Sequence, residues 1–275
     1  MNILQSDRPI IMGILNVTAD SFSDGGRYLD ADAAVAHAVR MVEEGADIID
    51  VGGESTRPGA ERVAAAGQRE RVLPVIERLR ETLPEEVGIS IDTTLAAVAE
   101  AALDAGAAVI NDISAGRDDD AMLQFAAARK VTMVLMHMQG TPATMQADPR
   151  YDDVVAEVRA FLLERARAAA EAGMEKSRII LDPGIGFGKT REHNLALLAR
   201  LDRFVDTGYP VMLGTSRKRF MGGICRVGAY DELTGATCAT TAMGVMAGVR
   251  LFRVHDVKAN RQAADVAWAI KNSES

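Results

Sequence analysis

The amino-acid sequence predicts an α/β fold, a single (β/α)8 TIM barrel that spans residues 1–275. Eight short β-rich apolar runs alternate with longer segments of helical spacing, which is typical of βαβ units and a parallel sheet. A glycine-containing helix-to-strand turn recurs four times, at Gly45, Gly106, Gly173 and Gly248, as expected at helix C-termini. No linker or low-complexity segment divides the chain. A doubly wound open sheet is the alternative, but eight such units in about 250 residues favour a closed barrel.

The individual elements follow from composition and periodicity along the chain. The predicted strands are Ile10–Leu15, Asp47–Val51, Gly88–Ile91, Ala108–Ile110, Val131–Met136, Arg178–Leu181, Pro210–Leu213 and Arg250–Val254. The clearest predicted helices are Ala31–Glu44, Leu95–Ala105, Val154–Ala172 and Ala236–Met246. The loops after the first two strands, residues 17–30 and 53–66, are long and polar and contain glycines. We therefore expect both to be mobile binding loops.

Composition limits the classes of partner and compartment. The chain is 48% hydrophobic, with a formal net charge of −8, so it can form a large core but lacks the basic character of a nucleic-acid-binding protein. Cys225 and Cys238 belong to no CxxC or Cys/His cluster, which predicts buried thiols in a reducing compartment and no zinc site. Residues 1–8 lack a signal-peptide pattern and no apolar run is long enough to span a membrane. These features predict a cytoplasmic protein without a membrane partner.

Each predicted strand runs into reactive polar residues at its C-terminal end, where the active site of a (β/α)8 barrel lies. In order along the chain these residues are Asn16, Asp50, Asp92, Asn111 with Asp112, His137, Asp182, Ser216 with Arg217 and Lys218, and Arg253 with His255 and Asp256. Any one of them could be a helix cap. Because all eight strands end this way, we predict a binding site at this face.

The strand-end residues suggest a two-part ligand. Asp92, Asn111 and Asp182 would accept hydrogen bonds from a flat heterocycle that carries N–H donors. Arg57, Arg253 and His255 would donate to a phosphate or diphosphate. Arg253 and His255 are two apart on one strand, so both can face the barrel mouth, and the charge of His255 is expected to change near neutral pH.

The glycine-rich segment at residues 182–190 and His137 indicate function less specifically than the strand-end residues. Residues 182–190 read DPGIGFGKT and end like a phosphate-binding Walker A loop, but Pro183 stands where that motif requires its first glycine. An NTPase site is therefore not predicted, and the glycines indicate sharp turns or close approach to a ligand. His137 follows the fifth strand, where a catalytic and a structural role are equally compatible with the sequence.

The motifs together resemble those of the dihydropteroate synthases over nearly the whole chain. They are GILNVTADSFSDGG (13–26), DVGGESTRPGA (50–60), SIDT (90–93), AGAAVINDISAG (105–116), LMHMQGTPATMQ (135–146), ILDPGIGFGK (180–189), GTSRKRFMG (214–222) and FRVHDV (252–257). The resemblance implies condensation of 6-hydroxymethyl-7,8-dihydropterin diphosphate with p-aminobenzoate, giving 7,8-dihydropteroate and diphosphate. Such an enzyme is a transferase of folate biosynthesis and a sulfonamide target, and the family suggests a homodimer.

The resemblance also implies roles for individual residues. Asp92, Asn111 and Asp182 would bind the pterin edge, with Lys218 beside the ring. Arg253 would stack on the pterin and, with His255 and Asn16, hold the diphosphate. Asn16 would also ligate Mg²⁺, and Asp24 would stabilise positive charge on the pterin methylene. The remaining implied residues belong to the second loop or the p-aminobenzoate site: Thr56, Arg57, Phe22, Pro58 and Ser216.

The implied chemistry is an SN1-like departure of diphosphate assisted by Mg²⁺, under loops that exclude water. Three residues depart from the common family pattern, namely Ala19, Leu95 and Arg219. By the resemblance, Ala19 and Arg219 would lie near the part of the site that binds p-aminobenzoate, so they bear on the affinity for sulfonamides.

Two other functions share parts of this pattern. Pterin-binding methyltransferases that serve a corrinoid have a similar Asp/Asn/Asp pocket but need no diphosphate site. A paralogue that binds pterin without turnover would carry the same residues. Mg²⁺-dependent diphosphate release with both substrates distinguishes the synthase reaction from each.

Overall fold

A computed structural model of the chain describes residues 7–17, 27–55 and 59–273. Within these ranges eight parallel strands form one sheet in the order β6-β5-β4-β3-β2-β1-β8-β7. The edge strands β6 and β7 meet through a parallel bridge between Leu181 and Val211, so the sheet curves into a nearly closed barrel. The helices lie in the connections between strands, and the predicted TIM barrel is confirmed.

The strands and helices have the following bounds in the described residues. The strands are β1 Ile10–Asn16, β2 Ile48–Gly52, β3 Gly88–Asp92, β4 Val109–Asp112, β5 Thr132–Met136, β6 Ile179–Asp182, β7 Met212–Leu213 and β8 Leu251–Val254. The helices are α1 Arg27–Glu43, α2 Ala65–Thr82, α3 Ala96–Asp104, α4 Met122–Ala128, α5 Val154–Glu171, α6 Arg191–Ala199, α7 Asp202–Val205, α8 Arg219–Cys225, α9 Thr234–Ala247 and α10 Val257–Asn272.

Apolar side chains fill the lower part of the barrel interior. The cluster there consists of Ile10, Met12, Ile48, Val109, Val134, Ile180, Met212 and Leu251. A larger cluster, which includes Ile49, Ile89 and Phe252, packs between the outside of the sheet and the helices. Side chains alternate along a strand, so the next inward positions lie above the interior apolar cluster, nearer the C-terminal ends of the strands. Those positions form the floor of the barrel mouth.

Three sequence-based expectations need correction. Helix α1 begins at Arg27 and not at Ala31, so the first loop is shorter than predicted. Strand β7 begins at Met212, because Pro210 has no N–H to contribute to the sheet. The thiols were expected to be buried, but Cys225 is exposed and Cys238 is partly exposed.

The helices of the described residues were also compared with the requirement for crossing a membrane. None of them combines sufficient length with sufficient apolar character.

Candidate active site

The sheet register brings the predicted strand-end residues together at one face. Asn16 pairs with Gly52, Gly52 with Asp92, and Asp92 with Asn111 in adjacent parallel strands. Asn16, Gly52 and Asn111 are inward, since each lies an even number of residues from a member of the interior apolar cluster on its own strand. Asp92 is inward as well, because it lies an odd number of residues from Ile89 and Ile91, which pack outside the sheet. A Cβ atom at position 52 would make ordinary van der Waals contact with Cβ of Asp92 at 3.5 Å, so Gly52 and Asp92 are direct neighbours on this face.

Buried hydrogen-bond acceptors form the floor of the mouth. Asp92, Asn111 and Asp182 are respectively 8%, 2% and 3% exposed. The Gly184 N–H donates to Oδ1 of Asp182 at 2.7 Å, which fixes the orientation of that carboxylate. Burial raises the pKa of Asp182 and raises that of Asp92 to about 7, although the charge of Arg253 opposes the second shift. Two of these acceptors are therefore costly to keep ionised without a ligand.

Arg253 lies in the floor itself. Its Nε donates to Asp50 Oδ2 at 2.6 Å and its Nη2 donates to Asp92 Oδ2 at 2.6 Å. Burial opposes the charge of Arg253, but the two carboxylates outweigh burial and raise its pKa. The guanidinium therefore lies deeper than the rim position expected for a diphosphate-binding group. Stacking on a pterin ring stays a prediction.

Lys218 lies across the loop that follows β6. Its Nζ is 4.1 Å from the centre of the Phe187 ring, and its aliphatic chain covers Gly186, where a Cβ would lie 3.0 Å from Cδ. Burial and the nearby Arg253 charge lower the pKa of Lys218 to about 8, against the opposing effect of Asp182 and Asp92. The ammonium therefore lies near the carboxylates of Asp182 and Asp92, and its position beside a pterin ring stays a prediction.

His255 and Ser216 form a hydrogen-bonded pair. The Ser216 Oγ accepts the His255 backbone N–H at 3.1 Å and lies 2.9 Å from the ring Nδ1. Burial and the charges of Arg253 and Arg217 lower the pKa of His255 to about 3. The expected change of charge near neutral pH is therefore wrong for this arrangement. A hydroxyl that accepts one bond can donate its own proton to Nδ1, leaving the ring N–H on Nε2.

Several predicted residues lie outside the described part of the chain. They are Phe22, Asp24, Thr56, Arg57 and Pro58, together with the pattern departure Ala19. The expected mobility of the loops at 17–30 and 53–66 stays a prediction, since residues 18–26 and 56–58 lie outside the described part of the chain. Asn16, the candidate metal ligand, lies at the exposed end of β1.

Comparisons with known proteins agree with this geometry. Residues 12–255 match the family model described as pterin binding enzyme. The dihydropteroate synthase of Bacillus subtilis is 45% identical, over 97% of this chain and 90% of its own length. The chain belongs to the dihydropteroate synthases. Members of this family are transferases, so the predicted enzyme class is confirmed.

Solved structures of dihydropteroate synthases share the whole fold. The Xanthomonas albilineans enzyme with 4-aminobenzoic acid has a TM-score of 0.90 at 46% identity, covering 96% of this chain and 94% of that one. The same enzyme with 7,8-dihydropteroate has a TM-score of 0.86 at 43% identity and the same coverage. The Yersinia pestis enzyme with a sulfonamide drug has a TM-score of 0.90 at 41% identity, covering 96% and 95%.

Sequence reasoning left two buried residues of this dihydropteroate synthase chain without a role. Asp50 is fully buried beneath the mouth, and its period-two spacing from Gly52 indicates that it too points inward. Lys189 is 3% exposed, and its Nζ lies 2.9 Å from His137 Nδ1 while donating to the Phe187 carbonyl at 2.9 Å. His137 therefore has a structural contact, which connects the loops after β5 and β6.

Proposed function

We propose that this chain condenses 6-hydroxymethyl-7,8-dihydropterin diphosphate with p-aminobenzoate. In this reaction the bond between the pterin methylene carbon and the diphosphate oxygen breaks. A bond from the same carbon to the amine nitrogen forms, and the amine loses a proton. The observation that carries the proposal is the acceptor floor of Asp92, Asn111 and Asp182 next to the cations Lys218 and Arg253.

The acceptor floor suits the pterin half of the substrate. The pyrimidine edge of a pterin carries several N–H donors, and a buried acceptor gains most from a donor when water is excluded. Lys218 contributes an ammonium beside the ring, and Phe187 below it offers a flat apolar surface. The dihydropteroate bound to the Xanthomonas relative contains this same ring, which supports the assignment.

The diphosphate half would lie toward Arg253 and His255. The Nε2–H of a neutral His255 can donate to a phosphoryl oxygen, while Ser216 holds the ring. Arg253 retains unused N–H groups besides those on Asp50 and Asp92, because a guanidinium carries five. These groups stabilise charge that develops on the departing diphosphate.

Magnesium is proposed as the cofactor, held by Asn16. An amide oxygen is a suitable hard ligand, and Mg²⁺ is usually bound by one or two protein ligands together with substrate phosphates and waters. Among the described residues no three acidic, histidine or cysteine side chains form a metal cluster, so diphosphate oxygens would complete the coordination. When bound, the ion would offset negative charge on the leaving group.

The proposed mechanism is SN1-like, because an electron-rich dihydropterin can stabilise a methylene cation. Asp24 would stabilise that cation, and the first two loops would exclude water from it. Phe22, Pro58 and Ser216 would line the site for p-aminobenzoate or a sulfonamide, and Thr56 and Arg57 would belong to the mobile second loop. The complexes of the Xanthomonas and Yersinia relatives support these ligand classes.

We also propose a cytoplasmic homodimer that associates through the outer face of α9 and α10. Met243, Met246, Val266 and Ile270 are large apolar residues exposed on these helices, and contiguous exposed apolar surface is typical of an association site. Sedimentation should show that Met246→Glu dissociates the dimer. The control Ile224→Glu, at an exposed site on α8, should leave the dimer intact. The proposal would be contradicted if both variants were monomeric or if Met246→Glu remained a dimer.

The proposed cytoplasmic location concerns the thiols. Cys225 and Cys238 are unpaired, which supports a reducing compartment.

Product formation tests the reaction directly. Purified protein should form dihydropteroate and release diphosphate only when the pterin diphosphate, p-aminobenzoate and Mg²⁺ are all present. Arg253→Ala should lose activity by roughly 10²-fold, as expected for a contact with developing charge. Binding of pterin without turnover would indicate a non-catalytic paralogue, and methyl transfer to a corrinoid would indicate the methyltransferase reaction.

A further inference from the structure

We propose that Asp50 is a positioning and specificity-determining residue, which fixes Asn111 so that the pocket prefers a 2-amino pteridine. This inference rests on the proposed pterin site. Asp50 lies one inward position below Gly52 on β2 and is fully buried. It therefore underlies the acceptor floor without belonging to the surface that a ligand would touch.

A single oxygen of Asp50 holds two functional side chains. Its Oδ2 accepts from Asn111 Nδ2 at 3.0 Å and from Arg253 Nε at 2.6 Å. Rotating the Asn111 amide by half a turn would set its oxygen against the carboxylate, which is repulsive. The amide is therefore locked with its nitrogen toward Asp50 and its oxygen turned away.

The locked amide gives the floor a uniform chemical character. With the Asn111 oxygen directed away from Asp50, all three floor residues can present acceptors. An acceptor floor matches a ring edge that bears an amino group and a ring N–H. It rejects an analogue that carries a carbonyl where the amino group would be, because two acceptors then face each other.

Asp50 also keeps Arg253 in the mouth when a ligand binds. The guanidinium is held by Asp50 and Asp92 together. A pterin that takes over Asp92 would remove one of these partners, and the bond from Arg253 Nε to Asp50 would remain. The same carboxylate thus positions one residue for the heterocycle and one for the diphosphate.

The second oxygen of Asp50 argues against a purely structural role. Oδ1 is buried and has no hydrogen-bond partner among the described residues, which destabilises a fold. Asp112, another fully buried carboxylate, shows the structural alternative. Its two oxygens accept the backbone N–H groups of Ser114 and Gly116 at 2.7 and 2.8 Å.

The proposal is tested by titration calorimetry, which measures the affinities for 6-hydroxymethylpterin and for its 2-oxo analogue, 6-hydroxymethyllumazine. Wild-type protein should prefer the pterin by at least about tenfold. Asp50→Val removes the acceptor, so Asn111 can rotate and the preference should fall to within about threefold. Asp50→Asn keeps an oxygen that can accept from both Asn111 and Arg253, so it should retain the preference. Asp112→Asn should lower the melting temperature and leave the preference unchanged.

The possible outcomes separate this inference from the proposed function. An Asp50→Val variant with the wild-type preference would overturn the inference, whereas failure of wild-type protein to bind the pterin would overturn the proposed function. If Asp50→Val does not fold, a crystal structure of the wild-type complex with 6-hydroxymethylpterin decides. Asn111 Nδ2 and Arg253 Nε must both remain on Asp50, and an amide rotated away from it would refute the role.

Discussion

Replacing Asp182 with asparagine should weaken pterin binding without unfolding the protein. The Gly184 N–H holds Oδ1 at 2.7 Å, so the asparagine oxygen must take that position to keep the bond. The amide nitrogen then replaces Oδ2, which lies near Gly214 on the other side of the carboxylate. An acceptor directed toward the ligand thereby becomes a donor.

The magnitude follows from two contributions. A hydrogen bond to a charged group contributes about 1.5–3 kcal/mol, and a buried donor facing a donor costs about 1–3 kcal/mol. A combined loss of roughly 3–4 kcal/mol corresponds to a 10²- to 10³-fold weaker complex. Folding should be little affected, because burial raises the pKa of Asp182 and a neutral amide of the same shape avoids that cost.

Titration calorimetry with 6-hydroxymethylpterin, run alongside thermal melts, measures both effects. The matched control is Asp47→Asn at the opposite end of the barrel, where Asp47 accepts from the Ile11 N–H at 2.8 Å and pairs with Arg261. This control should lower the melting temperature and keep the affinity. If Asp182→Asn binds within about threefold of wild type, Asp182 does not contact the pterin and the reasoning fails.

Three other predictions concern charge and backbone conformation. Lys218→Met should weaken pterin binding below pH 8, and the gap from wild type should narrow above pH 8 as Lys218 loses its proton; a gap that is independent of pH from 6 to 9.5 in calorimetry would contradict this. The contribution of Asp92 to the free energy of unfolding in urea should fall as pH rises from about 4 to about 7, because folded Asp92 keeps a proton that the unfolded carboxyl, with a pKa of 3.8, releases; an Asp92→Asn variant whose stability has the same pH dependence as wild type would refute this. Gly184→Ala should cost about 3 kcal/mol of stability, since φ is +65° and a Cβ would lie 1.9 Å from the His137 carbonyl oxygen; Gly228→Ala, where a Cβ meets nothing within 4 Å, is the control, and equal melting temperatures would count against it.

Much of the barrel was predictable because each strand is a short apolar run bounded by helical segments. Their position at the C-terminal ends of those strands then predicted that Asp92, Asn111 and Asp182 share the mouth, and the structure places them there. Boundaries were less predictable. Proline at 210 is compatible with an apolar run, but it has no N–H to donate and takes part only through its carbonyl, which accepts from Leu181; β7 itself begins at Met212.

The orientation of long side chains was not predictable from spacing. Arg253 was expected to face the mouth and bind a diphosphate, but its guanidinium reaches down to Asp50, a carboxylate to which no role had been given. The neutral state of His255 also depends on the folded arrangement, since its pKa is lowered by burial, by Arg253 on the same strand and by Arg217 after β7. Both properties depend on tertiary contacts between residues that are far apart in sequence.

The narrow junction between β6 and β7 has a consequence for how ligands affect the barrel. The Leu181 N–H donates to the Pro210 carbonyl at 2.9 Å, and Leu181 forms an isolated bridge with Val211. The ring of strands is therefore held by fewer hydrogen bonds here than between the other strands. Asp182 lies on one side of this seam and Lys218 follows the strand on the other. A pterin that contacts both residues would connect the two edge strands across this seam. Substrate binding would then slow exchange of the Leu181 backbone amide, which donates across this junction, far more than exchange in the fully paired strands opposite.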